Sequence, residues 1–177
     1  MNEGIDDWVL IRKKSTISTN DDVAELLDKG MDKVAVISEI QTGGRGRKGN
    51  FWHSPRGGVW LSLGMHADVP AQDLVTPFVE GLAQALTQKF GTSFSVKLPN
   101  DIFLNNKKVA GILMETIIQK DRILRVVLGI GINVINEIPK ELHEIATSLS
   151  QEGIEVTTDQ VFDLVFKIAS DFLDGLA

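Results

Sequence analysis

Val34-Ala-Val-Ile-Ser-Glu-Ile-Gln-Thr-Gly-Gly-Arg-Gly-Arg-Lys-Gly-Asn-Phe-Trp-His-Ser-Pro-Arg-Gly-Gly58 decides between two fold classes. Inside it, Gly44-Arg-Gly-Arg-Lys-Gly49 matches the spacing G-x-G-x-x-G. That spacing cradles a dinucleotide only between a strand and a helix of a βαβ unit. Val34 to Ile37 reads as a buried strand, so the first condition holds. The second fails, because Pro55, Gly57 and Gly58 follow too closely for a helix to start. No βαβ unit is read around the motif, and a doubly wound fold is rejected. The segment from Gln41 to Gly58 is instead a long loop carrying Gly43, Gly44, Gly46, Gly49, Gly57 and Gly58. Loops of that length in a compact domain are functional or disordered. Glycines let backbone N–H groups come close to a phosphate, and Arg45, Arg47 and Lys48 bring three cations within four residues. A lid that orders over a polyanion and a solvated basic loop are both compatible with that pattern.

Outward from this loop the chain alternates strands with a few helices. Trp8 to Lys13 is rich in β-formers and predicts a strand. Ser15 to Asn20 is a polar loop. It leads to an amphipathic helix over Asp21 to Lys29, capped by Asn20 or a neighbour and stopped by Gly30. Val59 to Met65 predicts a strand, and Ala71 to Phe90 a long helix with Pro70 near its start. A β-meander follows: Ser95 to Leu98, Asp101 to Leu104, Lys108 to Ile118 and Arg122 to Val134. Its tight turns fall at Asn105-Asn106 and Lys120-Asp121. Pro139 to Ser150 predicts a short helix and Asp159 to Leu176 an amphipathic one. The expected fold class is α/β of the α+β type: a mixed, mostly antiparallel sheet with helices on one side.

Bulk properties narrow the function. The 177 residues suit one domain with a proper core, expected over 1–177. The chain has no cysteine, which excludes thiolate chemistry and disulfides and is compatible with a cytoplasmic location. The first seven residues are polar and acidic, unlike a signal peptide. No apolar run approaches the roughly 20 residues of a membrane span. The formal net charge of −6 argues against a nucleic-acid module, although Arg45 to Lys48 is basic. A local basic patch in an acidic chain suits a small anion better than a duplex.

Two further stretches stand out. Lys97-Leu-Pro-Asn-Asp101 joins two strands. It reads either as a plain turn or as a strand end that points Lys97 into a cleft. Gly129-Ile-Gly-Ile-Asn133 alternates glycine along a strand, which reads as a bulge or as a place where a ligand or another backbone passes closely. His53, His66 and His143 are scattered and suggest no shared role.

These segments, in this order, resemble the biotin protein ligase family, and the resemblance covers essentially the whole chain. It is carried by Ser18-Thr-Asn20, Glu39 to Gly49, Trp52-His-Ser-Pro55, Lys97 to Asp101, Lys108-Val-Ala-Gly-Ile-Leu-Met-Glu115 and Gly129 to Asn133. The resemblance implies a class II aminoacyl-tRNA synthetase/biotin ligase-like catalytic domain. It implies a biotin site at Ser18, Thr19, Asn20, Gln41, Gly44, Arg45, Gly46, Arg47, Trp52, Lys97 and Gly111. It implies an ATP site at Arg45, Arg47, Lys48, Trp52, Lys97, Asn100, Lys108 and Asn133. Lys97 and Arg45 are expected to be catalytic. Asp101 is a loose candidate for nucleotide or Mg²⁺, and the Mg²⁺ is expected to ride mainly on the ATP phosphates. Hydroxyls and amides suit a neutral urea, which has donors and an acceptor.

The implied activity is ATP-dependent formation of biotinyl-5′-AMP and pyrophosphate, then transfer to a lysine of a biotin carboxyl carrier protein, or carrier domain, of acetyl-CoA or pyruvate carboxylase. A homodimer is a further expectation. Two departures from the family pattern are visible. Leu98 stands where the family has tryptophan and is expected to pack in its place. The chain is also expected to lack the family's C-terminal β-barrel domain and any N-terminal helix-turn-helix, and with the latter a DNA-binding role. The rival readings are a lipoate or octanoyl ligase of the same general fold and a paralogue that binds biotin without transferring it.

Overall fold

Alternation of side chains along a strand sends neighbours to opposite faces, so a strand apolar at every position must be covered twice. Strand β3 (Lys33–Ser38) is such a strand over its middle four residues, with Val34, Ala35 and Val36 all buried. The structure, a computed structural model, describes residues 2–5 and 7–176, with side chains from residue 7 onward. Around β3 lie β1 (Asn2–Ile5), β2 (Trp8–Lys13), β4 (Val59–Pro70), β5 (Phe94–Lys97), β6 (Asp101–Leu104), β7 (Lys107–Gln119) and β8 (Arg122–Ile132). They form one eight-stranded sheet in the order β1-β2-β3-β4-β8-β7-β6-β5. Only β2 and β3 run parallel; the other pairs are antiparallel.

Helices α1 (Thr19–Asp28), α2 (Val75–Phe90) and α3 (Thr158–Asp174) complete the layers. One face buries Leu10, Ala35, Leu61, Leu63, Leu128 and Ile130 against Phe78, Leu82 and Leu86 of α2 and Val161, Val165 and Ala169 of α3. The expected one-sided cover therefore describes α2 and α3. Helix α1 goes to the other face, where Val23 and Leu27 pack on Val34, Val36 and Val127. The physical reason is β3 itself, whose second apolar row needs a cover of its own. Gly64 makes that approach possible: a Cβ there would lie 2.4 Å from Val23 Cγ1. Helix α1 is thus the crossover of a β2–α1–β3 unit, which corrects the reading that no βαβ unit adjoins the glycine loop. The loop still leads into an antiparallel strand and not a helix, so the dinucleotide reading stays rejected.

Several boundaries move. Helix α1 begins at Thr19, with Ser18 at its N-cap, so Thr19 and Asn20 belong to the first turn and not to a loop. Helix α2 begins at Val75 because β4 runs on to Pro70; Asp73 then accepts from the backbone N–H groups of Val75 and Thr76. The expected helix over Pro139 to Ser150 is only a 3₁₀ turn at Lys140–Leu142. The chain there is instead stitched to the sheet, with Lys108 and Ala146 forming an isolated bridge. The two hairpin turns are as expected, with Asn105, Asn106, Lys120 and Asp121 all at positive φ. Leu98 is 57% exposed and fills no ring-sized space, contrary to the packing role expected of it. β1 was not foreseen; it pairs with β2.

Candidate functional site

On the face that α1 covers, the helix spans only part of the sheet. Register defines what remains. Residues directly opposite in an antiparallel pair share a face, so the rows Ser62–Gly129–Leu113 and Trp60–Gly131–Gly111–Asp101 run side by side beyond the helix N-terminus. Glycine at three of these positions leaves a trough. A Cβ at Gly129 would lie 2.2 Å from Asn20 Oδ1, and one at Gly131 or Gly111 would lie 2.8 or 2.9 Å from the Trp52 ring. The alternating glycines therefore admit two side chains, Asn20 and Trp52, where the sequence suggested a ligand or backbone.

A cavity of about 310 Å³ sits over this trough. The N-terminus of α1 delivers Ser18, Thr19 and Asn20 to its closed end, and Gln41 enters from the glycine loop. The side chains there satisfy one another. Thr19 N–H donates to Gln41 Oε1 at 2.9 Å, and Thr19 and Ser62 hydroxyls are 2.7 Å apart. Ser62 in turn donates to Asn20 Oδ1 at 2.6 Å, and Gln41 Nε2 donates to Ser54 at 3.0 Å. Gly44 is buried beneath this end and does not line it: a Cβ there would lie 2.5 Å from Ser54 Oγ and 2.7 Å from the Trp52 carbonyl.

The open end carries charge. Arg45, Gly46, Arg47 and Lys48 of the loop line it, facing Asn100, Asp101, Lys108 and Gly111 of the sheet. Arg45 grips Asp21 through both its Nη atoms at 2.8 and 3.0 Å, contacts Glu115 at 3.1 Å and donates to Ser18 Oγ at 3.0 Å. Asp21 foremost, with burial opposing and Glu115 assisting, raises the Arg45 pKa above its ordinary value, so it is a permanent cation. Lys108 Nζ pairs with Asp101 at 2.7 Å and lies 4.9 Å from the centroid of the Trp52 ring. Arg47 and Lys48 have no ion pair among the described residues. With Arg45 paired to Asp21 and Glu115 and Lys108 paired to Asp101, it is Arg47 and Lys48 that leave the mouth of the cavity positive inside an acidic chain.

Trp52 and Lys108 also line a second cavity of about 190 Å³, so the two spaces adjoin. Its walls include Asn133, Ile138, Pro139 and Leu142, which makes it the more apolar of the two. Asn133 is buried here and its side chain is committed: Nδ2 donates to the Thr147 carbonyl at 3.0 Å and Oδ1 accepts from Asn136 at 3.1 Å. It shapes the wall more than it offers free atoms. The Trp52 indole N–H is buried without an acceptor among the described residues.

Lys97 is the main departure from expectation. It pairs with Asp101 at the outboard end of the trough row, but it is exposed and absent from both cavity walls. Its Nζ lies 5.7 Å from the Phe103 ring centroid. The cation at the junction of the cavities is Lys108. Sequence reasoning missed Ser62 and Glu115. A lone small polar residue between Leu61 and Leu63 was the available signal for the first.

A model of the Biotin/lipoate A/B protein ligase family matches residues 9–133. The chain belongs to this family. Members similar to it include the bifunctional ligase/repressor BirA of Bacillus subtilis, 46% identical over 129 residues, or 68% of this chain and 39% of the relative. The biotin–[acetyl-CoA-carboxylase] ligase of Mycobacterium tuberculosis is 36% identical over 157 residues, 78% of this chain and 54% of the relative. The chain thus spans about two fifths to one half of the length of these relatives. Among solved structures, the biotin protein ligase from Aquifex aeolicus in complex with biotin and ATP superposes with a TM-score of 0.74 at 34% identity, covering 93% of this chain and 70% of that one. A bipartite lipoate protein ligase from Thermoplasma acidophilum shares the fold at 13% identity and a TM-score of 0.61. No helix among the described residues is long and apolar enough to cross a membrane.

Proposed function

We propose that this chain activates biotin with ATP and transfers the biotinyl group to a lysine of a carboxyl carrier protein. The observation that carries the reading is the pair of adjoining cavities: one polar at its closed end and cationic at its mouth, the other apolar, with Trp52 and Lys108 between them. A fused urea ring needs donors and acceptors around it, which the closed end supplies through Ser18, Thr19, Asn20 and Gln41. A valeryl chain then runs over the Asn20 and Trp52 side chains that fill the glycine floor, bringing its carboxylate to Lys108. The apolar cavity takes an adenine base.

Activation joins two anions. A biotin carboxylate oxygen attacks the α-phosphorus of ATP, the bond to the β-phosphate oxygen breaks, and pyrophosphate leaves. Lys108, Arg47 and Lys48 neutralise the charge that crowds there, which is electrostatic stabilisation and positioning without an enzyme nucleophile. Arg45 anchors the base of the loop through Asp21 and Glu115 and offers its remaining donor capacity to the ligand. Lys97, one strand outboard, adds only long-range positive potential. A magnesium ion would be carried in on the nucleotide phosphates, with Asp101 as the carboxylate lining the cavity.

In the second step the carrier's lysine amine attacks the acyl carbon of the mixed anhydride and AMP leaves. The anhydride is water-sensitive, so the loop from Arg45 to Trp52 must close over it between steps. The lipoate alternative draws support only from the shared fold; a plain acyl chain would leave the hydrogen-bonding closed end without partners. The test is to incubate the chain with biotin, MgATP and a carrier-domain peptide. A biotinyl mass increment on the peptide's lysine is the expected result, and an unmodified peptide refutes the transfer.

A further inference from the structure

Among the described residues, Glu115 is the one carboxylate that touches both the closed end of the cavity and the base of the loop. It stands on β7 opposite Val127, one row beyond the trough. Its Oε2 accepts from Asn20 Nδ2 at 2.7 Å, while its two oxygens lie 3.1 and 3.2 Å from Arg45 Nη2. An ionised carboxylate can only accept, so the Asn20 atom beside it must be the amide nitrogen. Asn20 Oδ1 must then face inward, where it accepts the Ser62 proton at 2.6 Å. With that proton committed, Ser62 Oγ can only accept at its 2.7 Å contact with the Thr19 hydroxyl, whose single proton also faces Gln41 Oε1 at 3.1 Å. One acceptor on the rim therefore fixes the direction of two successive hydrogen bonds across the floor. Gly129 gives the Asn20 amide its space, and the Leu113 carbonyl, 3.5 Å from Asn20 Nδ2, favours the same orientation more weakly than Glu115 at 2.7 Å.

We propose that Glu115 is a positioning residue for substrate selection: it locks Asn20 with its carbonyl oxygen presented to the cavity, which suits a ligand that brings N–H donors, as a urea does, over one that does not. This rests on the reading that the closed end takes a ureido ring. The Arg45 contact is a separate duty, shared with Asp21, whose carboxylate binds Arg45 and makes no hydrogen bond to the Asn20 side chain.

The two duties separate by mutation. Glu115→Leu removes both the charge and the acceptor. Glu115→Gln removes the charge but keeps an oxygen that can accept from Asn20. Asp21→Asn weakens the Arg45 clamp alone. Binding of biotin and of octanoate, a straight-chain acid without a urea, is measured by calorimetry on the full 177-residue chain and its variants. Glu115→Leu is expected to weaken biotin about tenfold or more while leaving octanoate unchanged, the size expected when one hydrogen bond to a charged group is lost. Glu115→Gln restores most of the biotin affinity, and Asp21→Asn leaves the preference for biotin over octanoate as it was. Equal losses in Glu115→Leu and Glu115→Gln, or a Glu115→Leu variant that binds biotin normally, overturn the proposal. Failure of the unmodified chain to bind biotin overturns the functional reading beneath it, and is told apart by that control.

Discussion

The two ends of the cavity floor are built on opposite plans. At the closed end, Thr19, Asn20, Gln41 and Ser62 are held by a helix, a strand, the isolated bridges of Gln41 to Thr16 and Ser54, and their mutual hydrogen bonds, and three of them are at most 5% exposed. At the mouth, Arg47 and Lys48 sit in an exposed loop whose only regular element is a 3₁₀ turn at Arg47–Gly49, with Lys48 at a φ of 58°. The difference teaches which part discriminates and which part moves. A rigid, mutually satisfied network recognises a neutral polar ring with little ordering cost, whereas a loop of glycines and unpaired cations gains order only when an anion arrives.

The largest effect that could break this division is at its boundary. Lys108→Ala is expected to lower biotin-dependent pyrophosphate release by about two orders of magnitude or more, because a cation facing the transition state is removed. A loss below tenfold would move the chemistry elsewhere. Next, Arg47→Gly is expected to leave biotin affinity nearly intact but to speed dissociation of the adenylate about tenfold or more, seen as biotinylation of bystander proteins. Gly129→Ala is expected to do the reverse: its Cβ displaces the Asn20 amide, so biotin affinity falls several-fold while the adenylate, once formed, leaves no faster. If both variants altered the same rate, the two ends would not be separable.

Smaller effects sharpen the same comparison. Gly64→Ala pushes against Val23 and Leu27 beneath α1 and is expected to cost about 1–3 kcal/mol of stability, read as a lower Tm. Because α1 carries Thr19 and Asn20, biotin protection against unfolding should shrink with it. Lys97→Ala is expected to change pyrophosphate release by less than about threefold, since surface charge acts weakly at a distance. A loss as large as that of Lys108→Ala would restore Lys97 to the centre.

What the chain made legible follows the range of its interactions. Hairpins at Asn105-Asn106 and Lys120-Asp121 are local, and so were readable from two residues each. The loop cations and the Ser18 to Asn20 run were readable because they are contiguous. The side of the sheet taken by α1 was not, because it depends on the second apolar row of β3 and on Gly64, far apart in sequence. Lys97 and Lys108 differ for the same reason. Both are lysines at strand ends, and only the register of β5, β6 and β7 sets one inside the trough and the other a strand beyond it. Glu115 reaches Arg45 across 70 positions of chain, a contact no spacing announces.

The most direct measurement is release of pyrophosphate from MgATP by the unmodified chain, with biotin, with octanoate and with neither acid. The account predicts release with biotin alone, since only a urea engages the closed end and only an aligned carboxylate reaches the cations. Release that is indifferent to biotin, or that octanoate supports equally, would contradict it.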